Sequence, residues 1–308
     1  MSFQTLFYRI IYQSHINYCI RNINVAFKRL LPDSIKIPPS GTMKCKTDSG
    51  IIKISTNPTS YLTQVLFWKG YKGFEYSEIF EKLSKKISSF IDIGANIGFY
   101  SLLATKSNIN IKVYAIEPAN GAFAYLMKNI FLNNFENAIN AHKLAISSKK
   151  GEIEFFEVQS NKYPYLKHTL SGENNIGTKT TSRNFISYKT DSVTLSYFIK
   201  QQNITTIDLI KIDTEGTEED ILSSGFEQIK KFTPIVICET LFNTTEYKLE
   251  NFFKKLDYSF YNHKVSKNIN GLVKVNTIQR TKDDGIRNCF FVPKNKEHYI
   301  SEFVIDKI

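Results

Sequence analysis

Residues 90–101 read FIDIGANIGFYS, and no other stretch restricts the fold as tightly. A short apolar run leads into a glycine turn. A second apolar run, 111–116, then ends on Glu117, 19 residues beyond Gly98. The pattern predicts a strand, a turn and a helix start, then a parallel second strand. Gly94 and Gly98 lack a Cβ, so the backbone there can approach a ligand closely. An acid at the tip of the next parallel strand is placed to take two ribose hydroxyls. Nucleoside binding by an α/β fold is the first implication.

The turn also says which nucleoside. A dinucleotide fingerprint reads G-x-G-x-x-G and aims a helix N-terminus at a pyrophosphate. Here the pattern is Asp92-x-Gly94-x-Asn96-x-Gly98, with an acid inside the turn. A carboxylate repels phosphate and attracts ammonium, which points to S-adenosylmethionine. Asp92 is expected near its amino-acid end and Glu117, followed by Pro118, at its ribose, with Gly94, Asn96 and Gly98 forming the turn. The plainer alternative is a strand–helix turn in which Asp92 only caps the helix.

From residue 90 onward strands and helices alternate. Strands are expected at 90–93, 111–116, 139–146, 207–212, 233–239, 257–262 and 287–292, and helices at 98–107, 120–133, 192–202, 215–224 and 245–256. Such alternation means a mostly parallel sheet wound on both faces. About two dozen residues without a helical pattern join the last two strands, which fits an antiparallel last strand. Residues 41–70 read as short strands and turns, 73–87 as a helix, and 152–158 as a hairpin arm. The stretch 159–190 is too long for a plain connector and is rich in Tyr, Asn, Ser, Thr, Lys and Gly. It reads as a lid over the acceptor, with His168, Asn174 and Asn175 near the site.

Four acids fall at strand tips, where an open α/β sheet collects ligands: Asp92, Glu117, Asp213 and Glu239. An alcohol acceptor needs a base or a metal ion to take its proton. Asp213 is the expected base, acceptor orienter or metal ligand, and Glu239 is placed to share Mg²⁺ with it. Glu215 and Glu218 are expected instead at the helix N-terminus, where negative charge is stabilised, a role that for Glu218 competes with one in the site. His168 is the second candidate base. His142 reads as structural or near the adenine.

With DIGANIGFYS, AIEP at 115–118, LMKNIFLNN at 126–134 and KIDTEGTE at 211–218, the chain resembles the FkbM-type family of S-adenosylmethionine-dependent methyltransferases over about 75–308. The resemblance implies a class I methyltransferase fold, Rossmann-like, with a seven-stranded, mostly parallel sheet and an antiparallel last strand. It also implies O-methylation of a hydroxyl on a sugar, glycan, glycolipid or related small molecule. Residues 89–308 form the expected methyltransferase domain, with 36–88 a cap or lead-in.

Net charge is +11, which suits an anionic partner or simply scattered surface lysine. A nucleic-acid methyltransferase is the alternative, but the acids following Asp213 repel phosphates. Cys19, Cys45, Cys238 and Cys289 are far apart and support neither a disulfide framework nor a zinc site. Residues 1–35 read as a helical extension, with Phe3, Leu6, Phe7, Ile10 and Ile11 at helical spacing, Arg9, Arg21, Lys28 and Arg29, and no acid in 3–31. It packs on the catalytic domain, forms a homodimer arm, lies on an anionic membrane, or is disordered when isolated. It is expected to be dispensable for cofactor binding. No signal peptide or membrane-length span is evident, so a cytoplasmic location is expected, or the inner membrane face through 3–31.

Overall fold

The computed structural model describes residues 3–27, 30, 32, 35–170, 184–214, 216–266 and 269–305. Lys28, Arg29, Asn174, Asn175 and Glu215 lie outside the described residues. Two helices open the chain, α1 (Phe3–Ile11) and α2 (Ser14–Ala26), followed by a hairpin of β1 (Gly41–Thr47) and β2 (Gly50–Thr56). Next come α3 (Tyr61–Lys69) and α4 (Ser77–Ser84). α3 corrects the expectation of strands and turns over 41–70. Its apolar residues lack a clean stripe, but the Ser60 hydroxyl accepts a hydrogen bond from the Thr63 amide and starts the helix.

The central sheet is built from β3 (Ser89–Ile93), β4 (Lys112–Ile116), β5 (Ile139–His142), β9 (Leu209–Ile212), β10 (Ile235–Glu239), β11 (Tyr258–Ser266), β12 (Ile269–Val275) and β13 (Asn288–Pro293). Its order is β12-β11-β13-β10-β9-β3-β4-β5. The last strand, β13, lies antiparallel between β10 and β11, as expected of a class I methyltransferase. An eighth strand, β12, extends the edge by pairing antiparallel with β11, within the two dozen residues expected only to lack a helix. Helices α5 (Phe99–Ser107) and α6 (Asn120–Asn133) belong to the first half. In the second half are α7 (Leu195–Gln201), α8 (Glu218–Ser223), α9 (Phe226–Phe232) and α10 (Glu246–Lys254).

The expected strand 139–146 divides between two sheets: β5 stays in the central one, and β6 (Ala145–Ile146) joins β7 (Gly151–Gln159) and β8 (Asn184–Val193) in a three-stranded arm of order β6-β8-β7. β8 pairs with β7 from Gly151↔Ser192 to Gln159↔Asn184, so 184–190 is strand rather than irregular lid.

Successive strand residues face opposite sides of a sheet. Phe90 therefore enters a core with α5, α6 and the β1–β2 hairpin, while Ile91 and Ile93 enter a second core with α7 to α10. Met43, Cys45, Ile52 and Ile54 of the hairpin share the first core, so the cap region 36–88 and the sheet are packed as one body. Two amides of α6 clamp β2: Asn129 Oδ1 accepts from the Ser55 N–H at 2.6 Å, and Asn133 Oδ1 from the Lys53 N–H at 2.8 Å.

Candidate active site

The glycine turn is shaped by what lies against it. Gly94 has φ +75°, and a Cβ there would stand 2.1 Å from the Asp213 carbonyl oxygen. Any side chain would push β3 and β9 apart at the strand tips. Asn96 sits at φ +52°, a region Asn tolerates, and its N–H donates to Glu117 Oε2 at 2.7 Å. Gly98 caps α5 at φ +86°, where a Cβ would meet Leu126 of α6 at 2.4 Å. Gly98 thus serves helix packing.

A cavity of about 430 Å³ opens at these strand tips and takes in Gly94, Asn96, Glu117, Pro118, Asp213 and Glu75. Its walls include Tyr61, Phe74, Phe155 and Phe156, with Leu170 from the stretch expected to be a lid. The size is that of a small-molecule site. Glu117 is buried, and its other oxygen accepts from the Ala119 N–H at 2.8 Å. Burial pushes its carboxyl up to about 7, against the two amide hydrogen bonds. A fixed, desolvated carboxylate with lone pairs to spare fits the two hydroxyl donors of a ribose.

Asp92 stands apart from that cavity. It lies one residue before Ile93, which lines the cavity, so its side chain projects toward α5 instead. There Oδ2 accepts from the Ser101 hydroxyl at 2.7 Å, and Oδ1 lies 3.7 Å from Lys211 Nζ. Burial raises the Asp92 pKa, while Lys211 and Ser101 oppose the shift. The ammonium beside this acid is therefore the protein's own. Lys211 is the cross-strand neighbour of Asp92 and also lies 3.4 Å from Asp213 Oδ2. Burial lowers the Lys211 pKa, but Asp213, Asp92 and Glu75 outweigh it, and the net direction is up.

Lys211, Glu75 and Tyr100 were not identified from sequence as site residues. Lys211 left a signal: a lysine inside the buried strand LIKI needs a partner acid. Tyr100, from the glycine-turn motif, donates to Glu75 Oε2 at 2.8 Å, and Lys211 Nζ lies 5.6 Å from the Tyr100 ring centre. Glu75 holds a positive φ of 41° and borders two cavities, the one above and a second of about 570 Å³ that includes His263 and Arg287. Glu75 is open to solvent along one side. The protein crowded around its carboxyl, and next the Asp213 charge, still push its pKa upward.

His168 does not line the cavity that holds Asp213. Its side chain packs on Gly121, where a Cβ would meet it at 2.6 Å. Glu239 lies 3.6 Å from Arg287 Nη1. Among the described residues no group of three or more His, Cys, Asp or Glu is arranged to hold a metal ion. Glu218 takes the helix-start role: Oε1 accepts from the Gly216 N–H at 3.0 Å and from the Thr214 N–H at 3.3 Å. His142 packs on Phe198, and burial lowers its pKa.

The strand order, the inserted antiparallel strand and a buried acid beside a glycine turn make up a Rossmann-like, class I methyltransferase type of fold. A profile of the Methyltransferase FkbM domain matches residues 92–260, more than half of the chain. The chain belongs to the FkbM family of S-adenosylmethionine-dependent methyltransferases. Methyltransferase sdnD of Sordaria araneosa is 27% identical over 191 residues, 54% of this chain and 74% of that protein. Methyltransferase 1 of Beauveria bassiana is 24% identical over 143 residues, 44% of this chain and 57% of that protein. The crystal structure of Methyltransferase FkbM from Methylobacillus flagellatus is similar at 15% identity and a TM-score of 0.44, over 75% of this chain and 54% of that one.

Proposed function

We propose that the protein methylates a hydroxyl of a sugar, a glycan or glycolipid, or a related small molecule. S-adenosylmethionine, when bound, supplies a methyl group on a positively charged sulfur. Glu117 would hold its ribose, with Gly94 and Asn96 at the turn and the aromatic walls available to the adenine. The observation that carries the reading is Asp213, a half-exposed carboxylate on the cavity wall beside Lys211. It is suited to orient an acceptor hydroxyl in line with the methyl group and to receive its proton as the new O–C bond forms. Glu75 offers a second acceptor for the same hydroxyl. Four carboxylates line the cavity, Glu75, Glu117, Glu154 and Asp213, and no lysine or arginine joins them among the described residues. That balance favours a neutral hydroxylated acceptor over nucleic-acid phosphates.

Methyl transfer to a panel of sugars and glycolipids, read by mass increase, tests the proposal. Asp213→Asn is expected to lower turnover by about 10²–10⁴ while leaving cofactor affinity intact. Turnover at the wild-type rate would remove Asp213 from the mechanism. Chelator treatment separates roles: activity lost and restored by Mg²⁺ or Mn²⁺ assigns Asp213 to a metal, and indifference assigns it directly to the hydroxyl.

A further inference from the structure

Helix α2 is mounted on a polar face. It buries three of its polar residues, Asn17, Arg21 and Asn24, at spacings of four and three, and exposes Tyr18 and Ile23, with Phe27 just beyond its end. The buried set is spent on backbone groups. Arg21 donates to the Ser40 carbonyl at 3.1 Å and to the Thr42 carbonyl at 2.7 Å. The Asn17 amide donates to the Pro38 carbonyl at 3.2 Å, and Asn24 accepts from the Ile37 N–H at 3.0 Å. With those three residues turned inward, Tyr18 and Ile23 are left exposed beside Ser14, His15 and Asn22.

Helix α1 adds an exposed apolar stripe of its own. Phe3, Leu6, Phe7 and Ile10 recur at i, i+3, i+4 and i+7 and are 86%, 49%, 51% and 44% exposed, and the helix buries none of its residues. One stripe of this kind on a protein surface marks an interaction site. The charge beside it selects the partner. Residues 1–32 contain no Asp or Glu, Arg9 is exposed on α1, and Lys162 lies 5.1 Å from the Tyr8 ring centre. Apolar side chains flanked by cations, in a segment whose sequence carries no acid, match the acyl boundary and headgroups of an anionic bilayer. Among the described residues no helix is long and apolar enough to cross a membrane, so the match is to its surface.

We propose that α1 and the outer face of α2 form a docking surface for an anionic lipid bilayer. Docking is tied to the lid, since the Tyr165 hydroxyl donates to the Tyr8 carbonyl at 3.0 Å and Tyr163 packs edge-on to Tyr8 and Tyr12.

The full chain should co-sediment with phosphatidylcholine vesicles carrying about a third phosphatidylglycerol, and at least tenfold less with pure phosphatidylcholine. Leu6→Glu with Ile10→Glu, both at exposed positions, should cut binding more than tenfold with an unchanged circular dichroism spectrum. Arg9→Gln should cut it roughly fivefold. Equal binding to both vesicle types, no binding to either, or full binding by the double variant would overturn the proposal. If vesicles are ignored and the double variant splits a dimer in sedimentation velocity, a second copy covers this face instead.

Discussion

Glu117 ties two readable quantities to one carboxyl. Its folded pKa, about 7, is raised from the ordinary 4.5 by burial. Between those values the folded chain holds a proton that the unfolded chain has released. The stability this group contributes is therefore full below 4.5 and lost as pH rises through 7. Thermal unfolding of wild type minus Glu117→Gln, followed against pH, should show that decline. Cofactor affinity should move the other way, because ribose hydroxyls donate best to the charged carboxylate. Calorimetry is expected to find affinity rising about tenfold from pH 6 to 8 in wild type and flat in Glu117→Gln. Lys211 carries a different prediction. Lys211→Met strands Asp92 in the interior, and loss of one partner of a buried pair costs about 3–5 kcal/mol. Chemical unfolding should report that loss. The acid at the second strand tip was legible as soon as the two strands were, because strand ends dictate where side chains gather. The Asp92 role was not, since one residue of strand register decides which face a side chain takes.

The arm and α6 meet through a cap assembled from two strands. The Tyr188 hydroxyl accepts from the Asn120 N–H at 3.0 Å and donates to Glu157 Oε1 at 2.9 Å, which also accepts from the Gly121 N–H at 3.1 Å. β7 and β8 thereby satisfy the first amides of the helix that follows Glu117 and Pro118. Tyr188→Phe deletes the acceptor for Asn120 and should cost about 1 kcal/mol, as other lost N-caps do. Hydrogen exchange by mass spectrometry should then quicken in 119–123 and stay unchanged in α10. Unchanged exchange at 119–123 would show the cap to be idle. The arm itself was half legible. Its first strand alternates visibly, whereas 184–190 is rich in polar residues, and only pairing with β7 makes it a strand. His168 was placed in the site because its loop is polar and long. Contact with Gly121, which depends on how that loop folds back, could not be read from composition.

Across the molecule, the parallel core strands and the inserted antiparallel strand followed from apolar runs and spacing. The eighth strand did not, because an edge strand with one partner needs little hydrophobic signature. The first two helices look amphipathic in sequence, but sequence does not say which face turns inward. Removing residues 1–26 should leave S-adenosylmethionine binding within about twofold and lower the unfolding temperature by several degrees, since Ser40 and Thr42 lose their bonds to Arg21. Cofactor binding abolished in a folded truncated chain would show that the helices reach the site. The same bonds have a further consequence at the two-stranded hairpin. Side chains rather than strands bond its outer edges in part: Arg21 at Thr42 of β1, with Asn17 at Ser40 just before it, and Asn129 and Asn133 at Ser55 and Lys53 of β2. A bare hairpin carrying GIIKIST would present backbone to any passing chain and seed stacking into fibrils. These side chains occupy the start of β1 and the middle of β2, so loss of the first helical segment would uncover backbone where β1 begins.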